Sequence, residues 1–232
     1  MRNPFKKMTD TLKRDRETMK GLSSAKKAEF IWDYYKVPIA IIATVLFVCI
    51  SLVTTFITRG GNVLYVVMVN AGVPESAGED AVRSTFTELL ESSGENMKGK
   101  KINLECNYSL SFDEPTDSDI ATLQVLSALF GIGDLDLFVS DKDVYDKFAL
   151  KNGFSDLRAY IPSDILSANE DKIYYYTDEK GNTAPVGIYV KDTEKLTGGG
   201  TPKGELLAGI VSRAENAERA GKVLESLLIV QN

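Results

Sequence analysis

From Val37 to Thr58 the chain runs 22 residues without a charge (VPIAIIATVLFVCISLVTTFIT). As a helix rising about 1.5 Å per residue, such a run covers roughly 33 Å, enough for a hydrocarbon core of about 30 Å. Trp32, Tyr34, Tyr35 and Lys36 stand before it and Arg59 after it, the interfacial aromatics and cationic anchors of a membrane helix. The pattern predicts a transmembrane helix over 37–58. A cleaved secretory signal has a short leader, an apolar core of 7–15 residues and small residues before the cut. Here 36 residues precede the run and Thr-Phe-Ile-Thr ends it, so an uncleaved anchor is expected.

Beyond the span the pattern changes to short apolar runs alternating with helical periodicity. Asn62–Asn70 is continuously apolar, as a strand covered on both faces would be. A helix is predicted at about 78–93, with Ala81, Val82, Phe86, Leu89 and Leu90 inward. Residues 101–111 alternate strictly, Ile102, Leu104, Cys106, Tyr108 and Leu110 against polar neighbours, which predicts a half-buried strand near a sheet edge. A helix from about Pro115 to Leu129, ended by Gly131, leads to a strand at 135–140. Ser140 and Asp143 have the spacing of a capping box for a helix reaching Asn152. A helical turn near 163–166 precedes a hairpin of 172–177 and 184–190 about a turn at 179–182. The glycine-rich stretch 197–204 is expected to be mobile. A buried strand at 205–211 and a second capping box, Ser212 with Glu215, open a last helix to about Leu228. The order β-α-β-α-β-α-(β-β)-β-α predicts an α/β domain, a mostly parallel sheet with helices on both faces. The chain thus divides into an arm (1–36), the span (37–58) and one α/β domain (60–232).

Charge orients the chain. Residues 1–36 carry ten Lys/Arg against five Asp/Glu, and residues 60–232 carry 16 against 28. The positive-inside rule then places the N-terminus in the cytoplasm and the large domain outside a cell membrane crossed once. In the arm, Phe5, Met8, Leu12 and Met19 fall roughly on one stripe among lysines and arginines. Such a segment can lie on anionic lipid, dock a cytoplasmic partner or only set topology.

The chain has no histidine, which excludes Ser-His-Asp and Cys-His nucleophile systems and His-ligated metal. Its two cysteines cannot build a disulfide framework or a Cys₄ site. Gly131-Ile132-Gly133 precedes its strand instead of following one, and Gly198–Gly200 with Lys203 lacks phosphate-loop spacing. No cofactor, metal or catalytic residue is expected. A ligand crevice, in a sheet of this kind, lies beyond the carboxyl ends of the parallel strands. The candidates there are Asn70, Gly72, Ser109, Ser140 and Asp141, with Ala71 and Ser111 beside them. The helix starts already carry Glu79/Asp80, Asp117/Asp119 and Asp141/Asp143, which occupy the positive ends of the dipoles. That argues against an anionic ligand and against nucleic acid, and for a small neutral or cationic one.

The segment GIGDLDLFVSDKDVYDKFALKNGFSDLRAY (Gly131–Tyr160) resembles the part of type II bacterial solute-binding proteins where a Gly-Asp-x-Asp strand precedes a helix, a glycine and an x-Asp-Leu turn. Ala184–Val190 is similar to that family's crossing strand, and Glu205–Leu228 to its closing strand and helix. SSAKKAEFIWDYYKVPI resembles the leader of membrane-anchored proteins of clostridia-like bacteria. The resemblance implies one lobe of a periplasmic-binding fold, since 173 outer residues have room for one core. The expected function is non-enzymatic binding, either of an envelope or membrane protein or of a small neutral or cationic ligand. The alternative is an anti-sigma-like transmembrane regulator whose arm holds a cytoplasmic partner.

Overall fold

The computed structural model describes residues 61–230 apart from 192, together with Ser23, Lys26, Trp32, Lys36, Val37, Ile41, 43–47, Ile50 and Ser51. The chain forms two compact units, Met1–Arg59 and Gly60–Asn232. In the first, the described residues from Trp32 to Ser51 are helical and exposed. Among the described residues no helix is long and apolar enough to cross a membrane. The span expected at 37–58 lies largely outside them, as do Tyr34, Tyr35 and Arg59 entirely.

The second unit is a three-layer α/β domain. In chain order it contains β1 (Asn62–Val69), α1 (Ala77–Ser92), β2 (Lys101–Tyr108), α2 (Asp117–Ile132), β3 (Leu137–Asp141) and α3 (Lys142–Ala149). Then come α4 (Ser163–Ala168), β4 (Ile173–Thr177), β5 (Thr183–Val190), α5 (Thr193–Thr197), β6 (Leu206–Ile210) and α6 (Ala217–Val230). One six-stranded sheet runs in the order β2-β1-β3-β6-β5-β4. β1 pairs in parallel with β2 and β3, so α1 and α2 are crossover helices.

The expectation of a mostly parallel sheet is corrected. β6 runs antiparallel to β3 (Leu137 opposite Ile210, Asp141 opposite Leu206), and β5 and β4 continue antiparallel beyond it. The reversal follows from the connections: β4 and β5 form a hairpin, and α5 with its loop returns the chain beside β3 from the opposite end. In the sheet, β6 thus lies between β3 and β5, which contains Ala184–Val190.

Helices cover both faces, as expected. On one, Val82, Phe86, Leu89 and Leu90 of α1 and Val223, Leu224, Leu227 and Leu228 of α6 pack over Leu64, Val66, Leu104, Val139 and Ile188. On the other, α2 and α3 enclose an aromatic cluster. There Tyr145 stacks on Phe154 with ring centres 4.0 Å apart, and Phe130 stacks on Phe148 at 4.5 Å.

Local signals mostly place the ends of these elements. Thr116 and Asp119 form a capping box at the start of α2, and Gly133 in left-handed geometry closes it, two residues after the expected stop. The capping box at Ser140 does not form. β3 extends through Asp141, which is itself the cap of α3, accepting from Val144 N at 3.3 Å. Ser140 is buried and donates to the Asp141 carbonyl at 3.0 Å. The box at Ser212 also fails, because the last helix starts only at Ala217.

Nor is the glycine-rich stretch loose. Gly200 lies against Gly72 and Gly198 against Gly78, so close that a Cβ on either would collide with backbone. Thr197 Oγ1 donates to the Gly200 carbonyl at 2.9 Å, and Lys203 N donates to the Asn70 carbonyl at 3.1 Å. The loop is packed onto the turn that follows β1.

Candidate functional site

The carboxyl ends of β1, β2 and β3 meet at Asn70. Its backbone is left-handed (φ 56°), a region that asparagine tolerates better than most residues. Its side-chain amide then reaches two segments, residues 109–110 and Asp141. Nδ2 donates to the Leu110 carbonyl at 2.7 Å and to Asp141 Oδ2 at 2.9 Å. Oδ1 accepts from Leu110 N at 3.0 Å and from Ser109 Oγ at 3.4 Å. With its own N–H on the Tyr108 carbonyl, Asn70 ties β1 to the end of β2, the cap of α3 and the loop at Lys203. A buried polar side chain this fully bonded fixes a unique geometry.

Above this knot opens a cleft of about 670 Å³, lined by Asn70, residues 110–113, Asp141, Asp143, Val144, Asp146, Lys147, Leu150 and Lys203. Leu110, Phe112, Val144 and Leu150 give it an apolar wall. The charged groups fall into two kinds. Asp141 is occupied, with one oxygen on Val144 N and the other on Asn70. Asp146 is occupied too, accepting from the Tyr174 hydroxyl and from Lys142 Nζ at 2.6 Å each. Burial first, and Asp146 next, push the Tyr174 phenol well above its ordinary range.

Only Asp146 is paired with a cation, Asp141 keeps its charge among neutral donors, and the other four lining charges form no ion pair among the described residues. Asp113 and Asp143 have no side-chain hydrogen bond or ion pair among the described residues. Lys147 rides over the Phe112 ring, 5.5 Å from its centre. Lys203 Nζ donates to Ser109 Oγ at 3.1 Å and forms no ion pair, and its charge adds to the Thr116 and Ser111 hydrogen bonds that hold the Asp119 carboxyl below its ordinary value.

Of the residues expected in a crevice, Asn70 and Asp141 line the cleft, and Ser109 holds Lys203 at its rim. Gly72 shapes it indirectly: left-handed (φ 68°), it leaves room for the Thr201 backbone. Ser140 faces the interior and takes no part. Sequence reasoning missed Lys203, Lys147, Asp143 and Phe112 as members of the site. The only signal for Lys203 was its place in the glycine-rich stretch, and it reaches Ser109 across 94 positions.

Two further polar groups lie elsewhere. Asp136 is fully buried and accepts from Tyr65 N at 2.8 Å, Asn216 N at 2.7 Å and Asn216 Nδ2 at 3.1 Å. Desolvation pushes its carboxyl up while these donors pull it down, and the first effect is the larger. Its bonds tie β1 to the turn before α6, which is a structural job. On β2, Glu105 accepts from the Tyr65 and Tyr108 hydroxyls at 2.6 Å each, and burial with that bond pushes the Tyr108 phenol up to about 12. Among the described residues no group of three or more carboxylates or thiols is placed to hold a metal ion.

No protein-family model matches the chain, and no curated protein matches its sequence. A solved structure similar to it is described as "substrate binding domain of putative molybdenum ABC transporter from Clostridium difficile", 14% identical, covering 72% of this chain and 92% of that one, with a TM-score of 0.30. So loose a superposition carries no argument, and the fold described above rests on the strand order and its registers alone.

Proposed function

We propose that the chain is a single-pass membrane protein whose outer α/β lobe binds a small net-neutral or cationic molecule without catalysis. The observation that carries this reading is the cleft at Asn70. It lies beyond the carboxyl ends of three strands, where the strand direction changes, which is where open α/β sheets take ligands. Its floor is rigid, its volume suits a small metabolite, and four carboxylates against two ammonium groups line it. The anchor is supported by the uncharged run at 37–58 and by Val37, Ile41, Val45, Leu46, Phe47 and Ile50, each helical with an exposed apolar side chain. The basic arm and acidic outer domain support a cytoplasmic N-terminus.

The test is thermal melting of the full chain in detergent against amino acids, amines, sugars and divalent ions. A ligand at about 100 times its Kd stabilises by roughly 2.7 kcal/mol, which at this size is a shift of several degrees. A shift that Lys203→Ala or Asp143→Asn changes locates the site. A cooperative melt that nothing in the panel moves overturns the small-molecule reading.

A further inference from the structure

The charges of the cleft carry more than its net sign. Two carboxylates (Asp113, Asp143) and two ammonium groups (Lys147, Lys203) border one cavity, yet none of them forms an ion pair. Elsewhere on this surface, opposite charges within reach do close on each other: Arg83 on Glu79, Lys142 on Asp146 and Arg158 on Asp156. In the cleft they do not, although Asp143 and Lys147 stand four apart on α3 as Lys142 and Asp146 do. Lys203 is fixed through its backbone N–H on Asn70 and its Nζ on Ser109, and Lys147 is held over Phe112. Asp143 belongs to the first turn of α3. These four charges stand two against two, Asp141 on the floor adds a negative charge that only neutral donors hold, and Phe112 and Leu150 stand among them as an apolar wall, Leu150 being 60% exposed.

Resting on the binding reading above, we infer that the ligand is a small zwitterion with an apolar substituent, carrying one ammonium and one carboxylate on a short skeleton. Its carboxylate meets Lys203, and its ammonium meets Asp143 with Asp113. The substituent lies against Phe112 and Leu150. A purely cationic ligand would leave Lys203 facing it with the same sign, and an anion would face the two carboxylates. A zwitterion satisfies both sets at once, and as an overall neutral species it is not repelled by the −12 domain.

The experiment uses the full chain in detergent and calorimetric titration with three isosteric probes: L-leucine, 3-methylbutylamine (the same skeleton without the carboxylate) and 4-methylpentanoate (without the ammonium). L-leucine is expected to bind at least tenfold tighter than either half-ligand. Lys203→Ala should remove most of its advantage over the amine, and Asp143→Asn most of its advantage over the acid. Both side chains are exposed, and unchanged melting of the free variants confirms their folding. If the amine binds as tightly as L-leucine and Lys203→Ala has no effect, the zwitterion inference falls while the cleft remains a binding site. If none of the three binds but a sugar or cation from the wider panel does, the inference falls in the same way. If nothing binds at all, both it and the binding reading fall.

Discussion

On one face of the sheet, α1 and α6 bury Val82, Phe86, Leu89, Leu90, Ala220, Val223, Leu224, Leu227 and Leu228. On the other, the 16 residues of α2 spread their apolar side chains round the helix and bury only Leu126, leaving Ile120, Val125 and Ile132 exposed. The first face reads as a scaffold. The second borders the cleft, where Phe112 is only partly buried against the core and Leu150 is 60% exposed. Burying a large apolar side chain stabilises by about 1.5–3 kcal/mol, so the face with more of them holds the fold. The face with fewer has surface left for binding.

The sharpest break of that contrast is Phe86→Ala. Phe86 is fully buried between α1 and the sheet, and its truncation is expected to cost about 3–5 kcal/mol, lowering Tm by about 10 °C. A loss below about 1 kcal/mol in calorimetric melting would show that the α1–α6 face does not hold the domain.

Next in size is Gly72→Ala. A Cβ there meets the Thr201 backbone, and the left-handed φ adds strain, so about 1–3 kcal/mol is expected. The larger consequence falls on the cleft, because moving residues 197–203 displaces Lys203. Ligand binding should weaken at least tenfold while Phe86-side packing, followed by near-ultraviolet dichroism, stays intact.

How far this contrast was legible in the sequence depends on range. Local patterns placed α1 and the hairpin within a residue or two and the start of β2 at Lys101, three residues too long at its end, and strand ends alone pointed to Asn70 and Asp141, which line one cleft. Strand direction did not follow. A run such as Leu206–Ile210, buried at every residue, reports burial and is silent about polarity, so β6 antiparallel to β3 was invisible. The start of α6 was misread for a related reason. Asn216 N is satisfied by Asp136, 80 positions away, and that tertiary carboxylate outcompetes the local Ser212 signal. Lys203 and Ser109 likewise meet only because the loop is pinned to the turn after β1.

The scaffold face also carries a charge device. Glu95, just after α1, accepts from Lys222 Nζ of α6 at 2.9 Å and lies 3.6 Å from Arg219 and 3.8 Å from Lys100. The Lys222 bond, then these charges, hold its carboxyl below the ordinary value of 4.5. A depressed carboxyl contributes stability that is present above its unfolded pKa and lost as pH falls through its folded one. Glu95→Gln should therefore lower Tm slightly at neutral pH, by the equivalent of under about 1 kcal/mol. The difference from wild type should shrink as pH drops below about 4.5. A gap that persists unchanged into acid would mean that the pairing to α6 contributes through packing instead.

The smallest expected effect lies at the end of α2, and it tests the contrast from the other side. Ile132 is 67% exposed as the last residue of that helix, and no charged side chain lies between Asp119 and Asp134 to keep this surface wet. In a single copy of the chain, Ile132→Ser removes a side chain that mostly meets water, and the melt should move by no more than about 0.5 kcal/mol, one or two degrees. A larger loss would mean that the side chain is covered in solution. Dilution then identifies the cover: a wild-type Tm that falls with concentration, together with a variant Tm that does not, assigns this face to contact between copies. A Tm independent of concentration in both leaves α2 as what its burial indicates, a thin lid over the aromatic layer beside the cleft.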